Sequence, residues 1–322
     1  MNPTSPLNKE QSHRSELLAL KARRALADLG KRSLYKKIHQ EKGDQEKAFN
    51  LLKPRFGTMY SEIASYDIER FVVPLWAGVL KGLEKAFLPS HSSSFLKNPL
   101  IMYTMHPTGS DRRLTEKMAV LDEAFSREEL AYLCQEDDIG KPLLQDLGWT
   151  LTSQNTINCL YCIARFTTKT GVDCRRVNNI IEWGGGYGML AKIMHRLKED
   201  TTYTIIDLPL LSCLQWIYLS SIFGEDSVNL VRTPRDPILD RRINLVSLPF
   251  LDTLNTMSPD LFVSTFALSE SSQYAQEFVV SRNWFNAKHL LLAYLSETFD
   301  KLTQGMLIEN IPPPKPCRFA YR

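Results

Sequence analysis

Four glycines fall within five positions, Gly184, Gly185, Gly186 and Gly188, with Tyr187 between the last two. Glu182 stands just ahead of this run, and Asp207 lies 25 residues after Glu182. Glycines that follow a strand let the main chain turn sharply and let a ligand approach the backbone closely. A carboxylate at the tip of the next strand is placed to accept hydrogen bonds from the two hydroxyls of a ribose. The spacing is Gly-x-Gly-x-Gly, not the Gly-x-Gly-x-x-Gly of NAD-type sites, and no Gly-Lys-Ser or Gly-Lys-Thr of a phosphate-binding loop occurs. Glu182 would repel a pyrophosphate and suits an ammonium or sulfonium group. S-adenosylmethionine carries both cations and a ribose but no phosphate, so it is the cofactor to which these residues point. A Rossmann-like sheet with a tight turn and no ligand has the same pattern and stays open as the alternative.

Displacement at a sulfonium methyl is in-line, so the protein must align an acceptor atom and exclude water. A hydroxyl acceptor also needs a base to take its proton. Glu270, past the strand-like run Leu261–Ser264, is the first candidate, and Glu297, past His289–Ala293, is the second. Ser269 could equally cap a helix that begins at Glu270. His106 lies in the polar stretch Tyr103–Arg113, which could cover an acceptor site as a lid, and its imidazole suits general-base work. A surface loop histidine is the plainer reading. Cys159 and Cys162 have metal-ligand spacing, but no second pair or His partner completes a site, so core packing and no metal are expected.

These residues need a scaffold. Short strand-like runs lie at 177–182, 203–207, 228–231, 243–246, 261–264 and 289–293, with helical patterns between the first three and between the last two. That alternation implies α/β architecture with a doubly wound, mostly parallel sheet of Rossmann-like kind. Residues 1–150 read as helical, a candidate cap over the acceptor site, and 151–322 as the cofactor-binding α/β domain. Pro74 breaks the helical pattern of 59–87, Ser126 with Glu129 forms a capping box, and Thr152 or Ser153 caps the helix that carries Asn155 and Asn158. Amides of that helix could reach the methionine part of the cofactor. His195 should face outward beside Arg196.

The run Glu182-Trp183-Gly184-Gly185-Gly186-Tyr187-Gly188 followed by Asp207-Leu208-Pro209 resembles the class I S-adenosylmethionine-dependent methyltransferases. Within them it is most similar to the putative sugar O-methyltransferase family, over about residues 145–297. Pro259–Glu270 is similar to that family's fourth strand and its Ser-x-x-Glu ending. The resemblance implies cofactor contacts from Glu182, Gly184, Gly185, Gly186, Tyr187, Gly188, Asp207, Leu208 and Ser264, and a hydroxyl of a sugar or glycan precursor as acceptor. Trp183 and Ser264 depart from the family's usual residues. Only 25 residues follow Glu297, so the last two strands must be short, at Met306–Ile311 and Arg318–Tyr321, or partly missing. Other readings are a methyltransferase of small molecules acting on O or N, a catalytically silent relative that only binds, and a dehydrogenase.

Composition narrows the partners. The 39 Lys and Arg against 36 Asp and Glu give a net charge of +3, concentrated in residues 1–50. That balance is too small for a nucleic-acid face. No apolar run of membrane-spanning length occurs, and the polar start lacks a signal-peptide block. Six cysteines read as reduced thiols, so a cytoplasmic protein is expected. Self-association is left open.

Overall fold

The computed structural model describes residues 43–88, 91–109 and 113–293, and the backbone of 320–321. The described residues from Glu46 onward belong to one compact unit. The described helices begin with α1 (residues 43–52), α2 (Phe56–Ile63), α3 (Pro74–Phe87), α4 (Pro99–Met105), α5 (Leu114–Ala124) and α6 (Arg127–Leu133). They continue with α7 (Gln154–Thr170), α8 (Met189–Leu197), α9 (Pro209–Phe223) and α10 (Gln273–Ser281).

The sheet contains β3 (Asn179–Trp183), β4 (Thr202–Asp207), β5 (Val228–Val231), β6 (Ile243–Ser247), β7 (Leu261–Thr265) and β8 (His289–Ala293). Their order is β5-β6-β4-β3-β7-β8, and every neighbouring pair is parallel. The short β9 (Ala320–Tyr321) extends this sheet beside β8, again in parallel. Of the two expected last strands, Met306–Ile311 lies outside the described residues. Strands buried on both faces read as continuous apolar runs, and β4 and β6 are buried at every position. From β3 the chain winds outward through β4, β5 and β6, then returns to the other side of β3 as β7. This reversal places the topological switch point at the carboxyl end of β3, the usual ligand crevice of a doubly wound sheet.

Helix α9 joins the layers. It is apolar all round and buried from Pro209 to Ser221, as a helix covered on both sides must be. One side packs on β4, β5 and β6, the other on α2 and α3. One hydrophobic cluster therefore runs without a break from Phe49 in α1 to Ala293 in β8.

Local signals explain the boundaries. Pro74 occupies the first turn of α3, where its missing N–H costs nothing. Ser126 and Glu129 form the reciprocal capping box of α6, and Ser153 caps α7. Ser272, not Ser269, caps α10, so Glu270 belongs to the turn between β7 and that helix. A two-residue hairpin, β1 (Gln145–Asp146) with β2 (Leu151–Thr152), is a strand pair that the sequence pattern did not suggest. His195 does not face outward. Its ring lies 4.4 Å from that of Phe223, and burial lowers its pKa.

Candidate functional site

The turn after β3 is built so that only glycine suits its first residue. Gly184 has φ +76°, and a Cβ there would stand 2.0 Å from the Cβ of Ala267, which follows β7. Gly186 and Gly188 also have positive φ, at 60° and 94°, a conformation that costs other residues roughly 1–3 kcal/mol. The turn closes on itself through Gly188 N–H to Gly185 O (2.9 Å) and is tied to β4 through Gly184 N–H to Ile206 O (2.8 Å).

Asp207 holds the same turn from within. Its Oδ2 accepts from Gly186 N–H (3.0 Å) and from Gln215 Nε2 of α9 (2.7 Å), and its Oδ1 accepts from Leu208 N–H (2.8 Å). Gln215 Nε2 also donates to Gly186 O at 2.8 Å. Burial pushes the Asp207 carboxyl up to about 7, opposed by these donors. Glu182, 1% exposed, accepts from the Tyr203 hydroxyl at 2.9 Å. Desolvation raises its pKa to about 8, with the Tyr203 hydrogen bond opposing and the nearby Asp207 adding to the rise. At neutral pH the acid is therefore mostly protonated, which weakens the repulsion of a pyrophosphate expected from the sequence, while a cation beside it would favour its ionised form.

A cavity of about 730 Å³ opens at this crevice, within the roughly 300–1,000 Å³ usual for small-molecule sites. Asp207 lines it together with the apolar Leu208, Leu211 and Leu248, a combination that fits a ribose and a flat base. Glu182 and the glycine turn form the floor. Phe71, Val72, Val73 and Trp76 from around the start of α3 form a second wall with Glu270. Trp76 Nε1 donates to Glu270 Oε2 at 3.2 Å, and burial raises the Glu270 pKa against this hydrogen bond. Arg113 and Lys117 of the α5 region line the third wall with Gln154, Asn155 and Asn158 of α7. His106 sits at the rim. It is the left-handed C-terminal residue of α4 (φ 49°), exposed, with its pKa lowered by desolvation.

Of the residues singled out from sequence, the cavity brings together Glu182, Gly184, Gly185, Gly186, Tyr187, Asp207, Leu208, Glu270 and His106. Gly188 and Ser264 are not among its lining residues. Gly188 precedes α8, where a Cβ would press on Leu219. The Ser264 hydroxyl joins two segments behind the cavity, donating to Trp183 O (3.2 Å) and accepting from Leu268 N–H (2.9 Å). Trp183 lines the cavity and donates from Nε1 to Ser271 Oγ at 3.0 Å. Glu297 lies outside the described residues. Cys159 and Cys162 are buried free thiols, and no group of three or more potential metal ligands occurs among the described residues.

Sequence reasoning missed the apolar residues Phe71, Val72, Val73 and Trp76 of the second wall and Lys117 of the third, whereas Glu270, Arg113 and the α7 amides had been expected near the site. It also missed a buried ionic cluster behind the turn. Lys192 of α8, fully buried, lies 3.0 Å from Asp137 Oδ2 and 3.5 Å from Glu136 Oε2, and Arg196 lies 2.9 Å from Asp137 Oδ1. Glu136 Oε1 accepts from Ser153 N–H (2.9 Å) and from the Thr156 hydroxyl (2.5 Å), holding the first turn of α7 against α8. The Ser153 cap was the one part of this arrangement visible in the sequence.

No known family model matches the chain, and no curated protein does. Among solved structures, one described as "PigF with SAH" is similar at 13% identity and a TM-score of 0.28, over 76% of this chain and 74% of that one. The doubly wound fold rests on the strand order above. No helix among the described residues is long and apolar enough to cross a membrane.

Proposed function

We propose that this chain is an S-adenosylmethionine-dependent methyltransferase whose acceptor is a hydroxyl group, most consistent with a sugar or glycan precursor. The observation that carries the reading is the pair of buried carboxyls, Glu182 and Asp207, flanking a glycine turn that opens into the same cavity as Glu270. When bound, S-adenosylmethionine supplies an electrophilic methyl group on a sulfonium.

The residues divide the remaining work. Asp207 accepts from the ribose hydroxyls while its bond to Gly186 N–H keeps the turn in register. Glu182 ionises to pair with the cofactor's ammonium. Leu208, Leu211 and Leu248 cover the base. Glu270, oriented by Trp76, takes the acceptor's proton at Oε1 or Oε2 as the acceptor oxygen attacks. Its raised pKa makes it a stronger base than an exposed carboxylate. His106 at the rim is the alternative base. The apolar wall of Phe71, Val72, Val73 and Trp76 excludes water from the reacting oxygen. The sugar assignment draws on the likeness of the Glu182–Gly188 run and Asp207-Leu208-Pro209 to the sugar O-methyltransferases. An aromatic wall beside a carboxylate also suits a polyhydroxylated ring.

Calorimetry with S-adenosylhomocysteine and with NADH tests the cofactor, and transfer of labelled methyl to a panel of sugars and phenols tests the acceptor class. Micromolar binding of the thioether nucleoside with none of the dinucleotide is expected. The reverse result would overturn the proposal.

A further inference from the structure

Trp76 and Glu270 are 194 residues apart in sequence, so the two segments that carry them must be fastened for their hydrogen bond to form. Ser272 fastens them twice. Its N–H donates to Phe71 O (3.2 Å), and its hydroxyl donates to Arg70 O (2.5 Å). The same hydroxyl oxygen accepts from Ala275 N–H (3.2 Å) and so caps α10. Around this junction the Arg70 guanidinium lies over the rings of Phe71 and Tyr274, at 5.1 and 4.9 Å. Those two rings meet edge to face at 5.2 Å.

Both sides of the junction are stiff. On the wall side, Phe71 ends a tight helical turn, Glu69–Phe71, and Val72 and Val73 are extended. Proline imposes that conformation on the residue before it, and Pro74 then opens α3 with Trp76 in its first turn. On the other side, the turn after β7 is tied down. Glu270 N–H and the Ser271 hydroxyl both donate to Ala267 O, at 3.1 and 2.8 Å. Ser271 Oγ also accepts from Trp183 Nε1 at the end of β3 (3.0 Å). A wall joined to this turn through Ser272 moves with it. An acceptor packed on Phe71 and Trp76 then meets the Glu270 carboxylate in a fixed alignment, and a misplacement of about 1 Å can cost about 100-fold in rate.

We infer that Ser272 is a positioning residue of this site. It fastens the acceptor wall to the base-bearing turn and thereby holds Trp76 on Glu270. The inference rests on the reading of Glu270 as the base.

The test is solvent exchange of the Trp76 indole N–H, followed by NMR on the full chain without ligand, with Trp76→Phe assigning the signal. Glu270→Ala removes the acceptor of that hydrogen bond and sets the unprotected rate. Ser272→Asp keeps an oxygen to cap α10 but has no proton to give Arg70 O, whereas Ser272→Thr keeps both functions. Exchange at least tenfold faster than in the wild type is expected for Ser272→Asp, with wild-type protection in Ser272→Thr and at the Trp183 indole N–H. If Ser272→Asp does not fold, Ser272→Ala takes its place. Its control is Ser126→Ala, which removes the cap of α6 instead and should leave Trp76 protected. A Ser272 variant that leaves Trp76 protected overturns the inference. So does an equal loss in Ser272→Thr, in Ser126→Ala or at Trp183, or a wild-type signal as unprotected as that of Glu270→Ala. On an acceptor that the wild type methylates, Ser272→Asp should lower kcat at least tenfold and leave S-adenosylhomocysteine affinity unchanged; an unchanged kcat also overturns the inference. Failure of the wild type to bind S-adenosylhomocysteine counts against the methyltransferase reading alone, because the exchange measurements need no cofactor.

Discussion

Cofactor binding should expel a proton, and Glu182 should be its main source. With a pKa of about 8, the Glu182 carboxyl is about 90% protonated at pH 7 by simple titration. A cation placed about 4 Å away at an effective dielectric constant of about 20 attracts the ionised form by about 4 kcal/mol. That is about three pK units, enough to bring Glu182 to about 5 and ionise it almost fully. Binding at pH 7 should therefore release about 0.9 proton from Glu182. Asp207, with a pKa of about 7, should add up to about 0.5 as ribose hydroxyls donate to its charged form.

Release of about one proton means that affinity rises about tenfold per pH unit below pH 8 and flattens above it. The assay is titration calorimetry with S-adenosylhomocysteine in buffers of differing ionisation enthalpy, where the slope of apparent enthalpy against buffer enthalpy counts protons. Glu182→Gln keeps the acceptor for the Tyr203 hydroxyl but cannot ionise. It should lower the proton count by about 0.9 and weaken binding about 100-fold at pH 7, the 4 kcal/mol attraction less about 1.4 kcal/mol for deprotonation. Tight binding with no proton released, or an unchanged count in Glu182→Gln, would refute the pairing of this acid with the ligand's positive charge.

Other perturbations separate catalysis from structure. Glu270→Gln should leave S-adenosylhomocysteine affinity unchanged and cut kcat by about 10²–10⁴, the usual contribution of a positioned base. Because burial raises the Glu270 pKa, the acid limb of the wild-type kcat profile should lie above that of an ordinary carboxylate and disappear in the variant. Gly184→Ala, with its Cβ 2.0 Å from that of Ala267 and φ at +76°, should lower stability by about 1–3 kcal/mol or more in chemical denaturation and abolish nucleoside binding. Lys192→Met leaves Asp137 and Glu136 buried without their ammonium, and should cost about 3–5 kcal/mol in the same assay.

How much of this was legible depended on whether burial was uniform. Strands β3 to β8 are covered on both faces, so their sequences are apolar runs that no helix period mimics, and all six stand where the runs lie. The glycine turn was legible because its positive φ values restrict residue type, and Asp207 because it ends the next strand. Lys117 was not. On α5 it falls among Glu116, Asp122 and Glu123 and reads as one more solvated charge, and only the packing of α5 on α7 turns it inward. The protonation state of Glu182 was equally hidden, because desolvation belongs to the folded surroundings and not to neighbours in sequence.

The buried ionic cluster bears on how the glycine turn is held in place. Pairs of this kind contribute little net stability, since desolvation offsets most of their attraction, so their value here lies in position. Asp207 at the end of β4 and Gln215 of α9 grip Gly186. Lys192 and Arg196, one and two turns into α8, are anchored through Asp137 and Glu136 to the start of α7. The first turn of α8 is therefore set against α7, the helix that carries Asn155 and Asn158 to the cavity. A turn held from both sides needs no ordering before the proposed nucleoside binds, so a change at Lys192 should weaken that binding through the turn even though Lys192 does not line the cavity.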